Sequence, residues 1–268
     1  RQTGTYWYHS HTRLQEQQGM YGTIVILPAE GGPTPAADRD HAVLFSDWTT
    51  EDPDAVLRLL RSGSEWYSIA KGSAQSILGA ARLGLLGDYF SRELQRMPAM
   101  DIADIAYDRF LANGTPETAL EASPGETVRV RIVDGAASTF FHLEFAGGTM
   151  TVVAADGQDV EPFAVDRLLI TVAETYDVLV TIPGPGAWEL RATSHDGASW
   201  TSAWLGEGER HPAPDVPRPN LYPAMGDLSW RRVLAWTPEG AMGMSDAAVA
   251  AGDFDAPRMR MMDMDGHE

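Results

Sequence analysis

Between about Tyr107 and Gly206 the apolar positions recur at every second residue. Thr127-Val128-Arg129-Val130-Arg131-Ile132 alternates cleanly, and Phe141, Leu143 and Phe145 alternate with His142 and Glu144. Successive side chains on a strand point to opposite faces, so this period of two predicts half-buried strands. Further strands are predicted at Met150–Ala154, Leu168–Val172, Tyr176–Ile182 and Trp188–Ala192. Pro124-Gly125, Asp134-Gly135, Asp156-Gly157 and Pro183-Gly184 supply the turns between them. Short strands at such spacing predict a mostly β sandwich or barrel of about 100 residues, long enough to bury its own core.

The flanking pattern is different. Residues 1–28 predict strand, turn, strand: Thr5-Tyr6-Trp7-Tyr8-His9-Ser10-His11 is aromatic-rich, and Gly22-Thr23-Ile24-Val25-Ile26-Leu27 closes at Pro28. A breaker-rich loop over 29–40 precedes a short apolar strand, Ala42–Ser46. Asp52 is then placed to cap a helix with Pro53 at its first position, ahead of Val56, Leu57, Leu59 and Leu60. A weaker helical pattern covers about 65–97, diluted by Gly72, Gly79, Gly84 and Gly87. Past 206 the chain is rich first in proline (Pro212, Pro214, Pro217, Pro219), then in methionine. Four zones result: 1–48, 49–105, 106–206 and 207–268.

Composition narrows the function. Lys and Arg number 20 against 38 Asp and Glu, a net charge of −18. That balance argues against a nucleic-acid partner, because phosphate binding draws on clustered cations. With 44% hydrophobic residues the chain is globular, and its 26 glycines and 17 prolines favour a turn-rich β fold. These 268 residues contain no cysteine, which excludes disulfides, cysteine–zinc sites, thiol nucleophiles and a copper–thiolate centre within them. No stretch approaches the roughly 18 apolar residues of a membrane span; the best, Ser76 to Phe90, is broken by Arg82 and Asp88. The chain starts at Arg1 already close to a patterned strand, with no leader pattern, and is expected to be an internal piece of a longer polypeptide.

The chemistry-bearing signal is His9-Ser10-His11. On a strand, residues i and i+2 share a face about 6.6 Å apart, so both imidazoles project together while Ser10 points the other way. Two neutral imidazoles on one face can hold two adjacent ions, one ligand each, and imidazole suits copper, zinc or iron. The competing reading is two surface histidines in a tyrosine-rich strand. His142 and His195 are expected to be structural or solvated. Met259, Met261, Met262 and Met264, close to His267, offer soft thioether donors that suit cuprous copper; the alternative is an acidic linker whose methionines are incidental.

The segment Gly4-Thr5-Tyr6-Trp7-Tyr8-His9-Ser10-His11, followed by Gln15-Glu16-Gln17 and Gly19-Met20-Tyr21-Gly22-Thr23-Ile24-Val25-Ile26, resembles the second copper motif of the multicopper oxidases. Thr23 stands where the family usually has Pro or Ala. His41 to Asp54, Met97-Pro98 with Asp101-Ile102-Ala103-Asp104, Met150 to Gln158, and Ala173 to Val178 are similar to the bacterial copper-resistance branch. The resemblance implies a cupredoxin-like Greek-key β-sandwich. Residues 1–48 would end a first such domain, 49–105 form a helical inter-domain insert, 106–206 a complete second domain, and 207–268 a linker toward a third. It implies that His9 and His11 each bind one of the paired type 3 coppers of a trinuclear cluster. There dioxygen is reduced to water with electrons from a reductant such as cuprous ion or a phenol-like donor.

The family's His-x-His-Gly motif and its Cys-His-bearing motifs have no counterpart here, so type 1 copper and the remaining cluster ligands are expected outside this chain. The isolated piece is therefore expected to be inactive, with residues 1–28 exposed for want of strand partners. A periplasmic location follows from the same resemblance. The rival readings are a non-enzymatic periplasmic copper-binding or storage protein, using the His pair and the Met-rich tail, and a structural module whose His pair is vestigial.

Overall fold

The computed structural model describes residues 2–222 apart from 31, 34, 63, 65, 73–75 and 95–102. Its first elements are an antiparallel hairpin, β1 (Gly4–His9) with β2 (Tyr21–Ile26), in which His9 lies opposite Tyr21. Strand β3 (Arg39–Trp48) follows, then α1 (Pro53–Arg61) and α2 (Trp66–Ala70). The α1 start matches the sequence signal: Asp52 Oδ1 accepts from the Ala55 amide at 2.9 Å, with Pro53 at the first position. The weak helical stretch resolves into α3 (Ile77–Leu83) and α4 (Leu86–Leu94). Ser76 caps α3 and Gly84 ends it in the left-handed region at φ 72°.

The remaining strands are β4 (Arg109–Ala112), β5 (Glu117–Leu120), β6 (Thr127–Asp134), β7 (Phe141–Phe145), β8 (Met150–Ala155), β9 (Gln158–Val165), β10 (Arg167–Ile170), β11 (Thr175–Thr181), β12 (Ala187–Ser194), β13 (Trp200–Leu205) and the two-residue β14 (Arg210–His211). With β3 they form two six-stranded sheets. One runs β4-β3-β6-β11-β8-β9; the other runs β10-β7-β12-β13-β5, with β14 added beside β12. Alternate residues of both sheets share one core: Val43, Phe45, Val130, Ile132 and Val178 from the first, Phe141, Leu143, Leu190 and Leu205 from the second. The Phe45 and Phe141 rings meet across it, with centroids 6.1 Å apart. This is a sandwich closed by non-local pairings.

Strand β3 departs from the sequence reading, which grouped it with residues 1–28. It runs parallel to β6 in register from Arg39↔Val128 to Phe45↔Asp134, inside the sandwich. The run Val43-Leu44-Phe45 is buried throughout, and a strand covered on both faces shows no alternation that would reveal its sheet. Strands β9 and β13 were also missed. β9 is a mostly exposed edge strand containing Pro162, and β13 is a central one buried at five of its six positions.

The described residues fall into two compact units: one drawn from Arg1–Gly72 and Ile102–Pro219, the other from Ser73–Asp101 and Asn220–Glu268. The first holds the hairpin, the sandwich, α1 and α2. In the second, α4 carries Arg92, 2% exposed, whose guanidinium lies over the rings of Tyr89 and Tyr222.

Candidate metal centre

Strand β1 is held against the sandwich by side chains rather than by a ladder. Thr5, 2% exposed, donates its hydroxyl to Asp177 Oδ1 at 2.6 Å, and Thr175 donates its hydroxyl to the Thr5 carbonyl at 2.9 Å. Asp177 Oδ2 accepts in turn from Arg129 at 3.2 Å and Arg131 at 2.7 Å, and Arg131 forks onto Asp40 with two bonds of 2.6 Å. Two buried arginines against two carboxylates balance their charge, which is the condition for burying such groups. One residue on, Tyr6 packs on the Asp156-Gly157 turn; any side chain at Gly157 (φ 74°) would collide with its ring. Strand β1 is therefore anchored to the sandwich, while Tyr8, Met20, Ile24, Ile26 and Leu27 of this segment stay exposed, as expected of strands without their full set of partners.

Beyond Thr5 the same strand presents Trp7 and His9. Their rings stack in parallel, centroids 4.0 Å apart and 5° between planes. His11 lies just past the end of β1. Its ring approaches that of His9 to 4.4 Å, tilted by 44°. The two imidazoles do share a side, as the strand period predicts, but they are closer than strand spacing alone gives. The chain has left the strand at Ser10 and begun to turn at Thr12, so the rings converge.

That turn, 12–19, is tightly specified. The Met20 amide donates to the Gln15 carbonyl at 3.0 Å, the Gly19 amide to the Glu16 carbonyl at 2.9 Å, and the Ser10 amide to the Met20 carbonyl at 3.0 Å. Ser10, on the opposite face from the histidines, donates its hydroxyl to Gln15 Oε1 at 2.7 Å. Glu16 Oε2 lies 3.0 Å from His9 Nδ1. A carboxylate only accepts, so in the neutral imidazole this contact puts the proton on Nδ1 and leaves the Nε2 lone pair as the donor to a metal. Across the hairpin, burial pushes the Tyr21 phenol above its usual range, with Ser46 opposing and Asp47 adding to the shift.

This chemistry fits copper: two imidazole donors, one with its tautomer already set for Nε2 ligation. Among the described residues no group of three or more His, Cys, Asp or Glu gathers to hold an ion, so the site offers two donors. Met259, Met261, Met262 and Met264 lie outside the described residues, as do Met97 and Asp101.

His142 and His195, read separately in the sequence, come together: His195 Nδ1 lies 2.8 Å from His142 Nε2. Burial, then His195 and Arg167, push His142 below its usual range, with Glu144 opposing. The pair ties β7 to the loop after β12. Glu16, Thr5, Thr175 and Asp177 are the site-supporting residues that the motif alone did not single out. Thr5 and Glu16 lie inside the quoted motif and Thr175 and Asp177 inside the separate stretch Ala173 to Val178, but nothing in the sequence gave them this role.

Comparison with known proteins agrees. The family profile described as Multicopper oxidase matches residues 39–209, and a second profile of the same description matches residues 1–31. The chain is 38% identical to copper resistance protein A of Escherichia coli over 99% of its own length and 44% of that protein's. To the multicopper oxidase MmcO of Mycobacterium tuberculosis it is 34% identical, over 85% of this chain and 42% of that one. The chain thus spans less than half the length of these curated relatives. Among solved structures, Fet3p, a multicopper oxidase, superposes with a TM-score of 0.57 at 21% identity, covering 82% of this chain and 37% of that one.

Proposed function

The chain belongs to the multicopper oxidase family, and from that premise we propose that it works as the middle part of a copper-dependent oxidase of the copper-resistance branch. In this reading His9 and His11 each give one imidazole to a pair of type 3 coppers. The observation that carries it is the convergence of the two rings to 4.4 Å with His9 Nε2 left free. Bound copper supplies the one-electron steps that couple oxidation of a reductant to reduction of dioxygen to water.

The chain's own residues supply position. Trp7 holds the plane of the His9 ring, Thr5 fixes the strand beneath it, and the 12–19 turn sets the point at which His11 leaves the strand. The hairpin closes a first cupredoxin-like domain, while the sandwich, β3 included, forms the second. Residues 49–105 act as a helical insert and 207–268 as a linker toward a third domain, which brings the remaining ligands and the type 1 copper. A soft, small electron donor such as cuprous ion or a phenol suits the branch, as does a periplasmic location.

The rival, storage of copper without turnover, draws support from the methionines at 259–264. Oxygen-electrode measurements on the copper-loaded full-length protein separate the two. The oxidase reading expects dioxygen to disappear at one molecule per four cuprous ions oxidised; copper binding with no oxygen uptake favours storage.

A further inference from the structure

Resting on the reading that His9 ligates copper, we infer that Glu16 is a positioning residue for that ligand, selecting which ring nitrogen of His9 faces the metal. The His9 imidazole is flanked by the rings of Trp7 at 4.0 Å and His11 at 4.4 Å. Stacking fixes the plane of a ring but is nearly indifferent to a half-turn about the Cβ–Cγ bond, which exchanges a nitrogen edge for a carbon edge. A carboxylate distinguishes the two. Glu16 Oε2, 3.0 Å from Nδ1, accepts its proton and rewards only the orientation that sends Nε2 outward. The negative charge also makes the imidazole a stronger donor, as carboxylate partners of metal-bound histidines do.

Glu16 is itself held in place. Two neighbouring turn residues meet the last residue of β1 and the one after it: Gln15 bonds Ser10 while Glu16 bonds His9. The backbone bonds from Gly19 to Glu16 and from Met20 to Gln15 close the turn around this pair. Gly19 takes φ 93°, and a Cβ there would press on the Trp48 ring at 3.2 Å, so the turn has little freedom to shift. Seven residues of sequence separation are thus converted into a fixed carboxylate–imidazole contact.

The test uses the full-length protein with Glu16→Ala, Glu16→Gln and His9→Ala, titrated with cuprous ion against a competing chelator; the metal-free forms are melted in parallel. Glu16→Ala is expected to weaken the copper held through His9 by about 10- to 100-fold. Glu16→Gln, whose amide oxygen can still accept from Nδ1, is expected to recover most of that loss. The metal-free melting temperature of both is expected to move by no more than about 4 °C. Wild-type copper affinity in Glu16→Ala, with copper lost in His9→Ala, overturns the positioning role and leaves the ligand assignment standing. A lowered melting temperature in Glu16→Ala without a change in copper affinity makes the contact structural only and also overturns it. Full copper retention in His9→Ala overturns the ligand assignment and this inference together.

Discussion

Thr5 donates its hydroxyl to Asp177 over 2.6 Å, although 172 residues separate them. The bond joins the strand that carries His9 to β11, at the centre of one sheet of the sandwich. It is the visible part of a buried group in which Asp177 also answers Arg129 and Arg131. The geometry of the histidine pair therefore depends on residues far along the chain from the motif.

Replacing Asp177 by Ala removes the shared anion and leaves two buried guanidinium groups partly unpaired. The expected loss of stability is about 3–5 kcal/mol. Thr5→Val removes the hydroxyl that donates to Asp177 and accepts from Arg131 at 3.2 Å, and is expected to cost about 1.5–3 kcal/mol. Urea unfolding of both variants checks the order, and wild-type stability in Thr5→Val would show that the Thr5 hydroxyl carries nothing.

Asp52 caps α1 through the Ala55 amide. Asp52→Ala is expected to cost about 1 kcal/mol and to speed hydrogen exchange at the Ala55 amide. Unchanged exchange there would mean that packing of Val56 alone holds the helix end.

Asp134 is fully buried. Burial pushes its carboxyl well above the usual range; a hydrogen bond from the Ala136 amide opposes this, and Asp47 and Glu174 add to it. The folded chain therefore holds a proton that the unfolded chain releases once pH rises through the ordinary carboxylate range. The sign follows: stability from this group is fully present below the unfolded value and is lost as pH climbs toward the raised one. Unfolding free energy of wild type should fall relative to Asp134→Asn as pH increases from acid toward neutral. Parallel pH profiles would remove Asp134 as the cause.

For the methionine segment, a peptide of residues 241–268 should bind cuprous ion in preference to cupric or zinc, because thioethers are soft donors. Exchange of Met259, Met261, Met262 and Met264 for Leu should abolish that preference in a chelator competition. Unchanged affinity would make the segment a linker.

Much of this was legible in the sequence where local physics decides. β6 and β7 announced themselves by alternation, α1 by Asp52-Pro53, and the histidine pair by its spacing on an aromatic strand. What stayed hidden depends on partners distant in sequence. Val43-Leu44-Phe45 could not disclose that it runs beside β6, since a doubly covered strand is uniformly apolar. The approach of His142 to His195 requires β7 and the loop after β12 to meet across 53 residues. Ala173 to Val178 showed only a similarity to the copper-resistance branch, yet its Thr175 and Asp177 are what hold Thr5. The role of Glu16 needed the turn to be seen closed.

The central claim is that His9 and His11 hold a type 3 copper pair in the full-length oxidase. Copper stoichiometry measured together with oxygen uptake in His9→Ala and His11→Ala tests it most directly. The account predicts that each variant loses type 3 copper and that oxygen uptake collapses to background, while the blue type 1 absorption persists. Full copper content with wild-type oxygen uptake in either variant would contradict it.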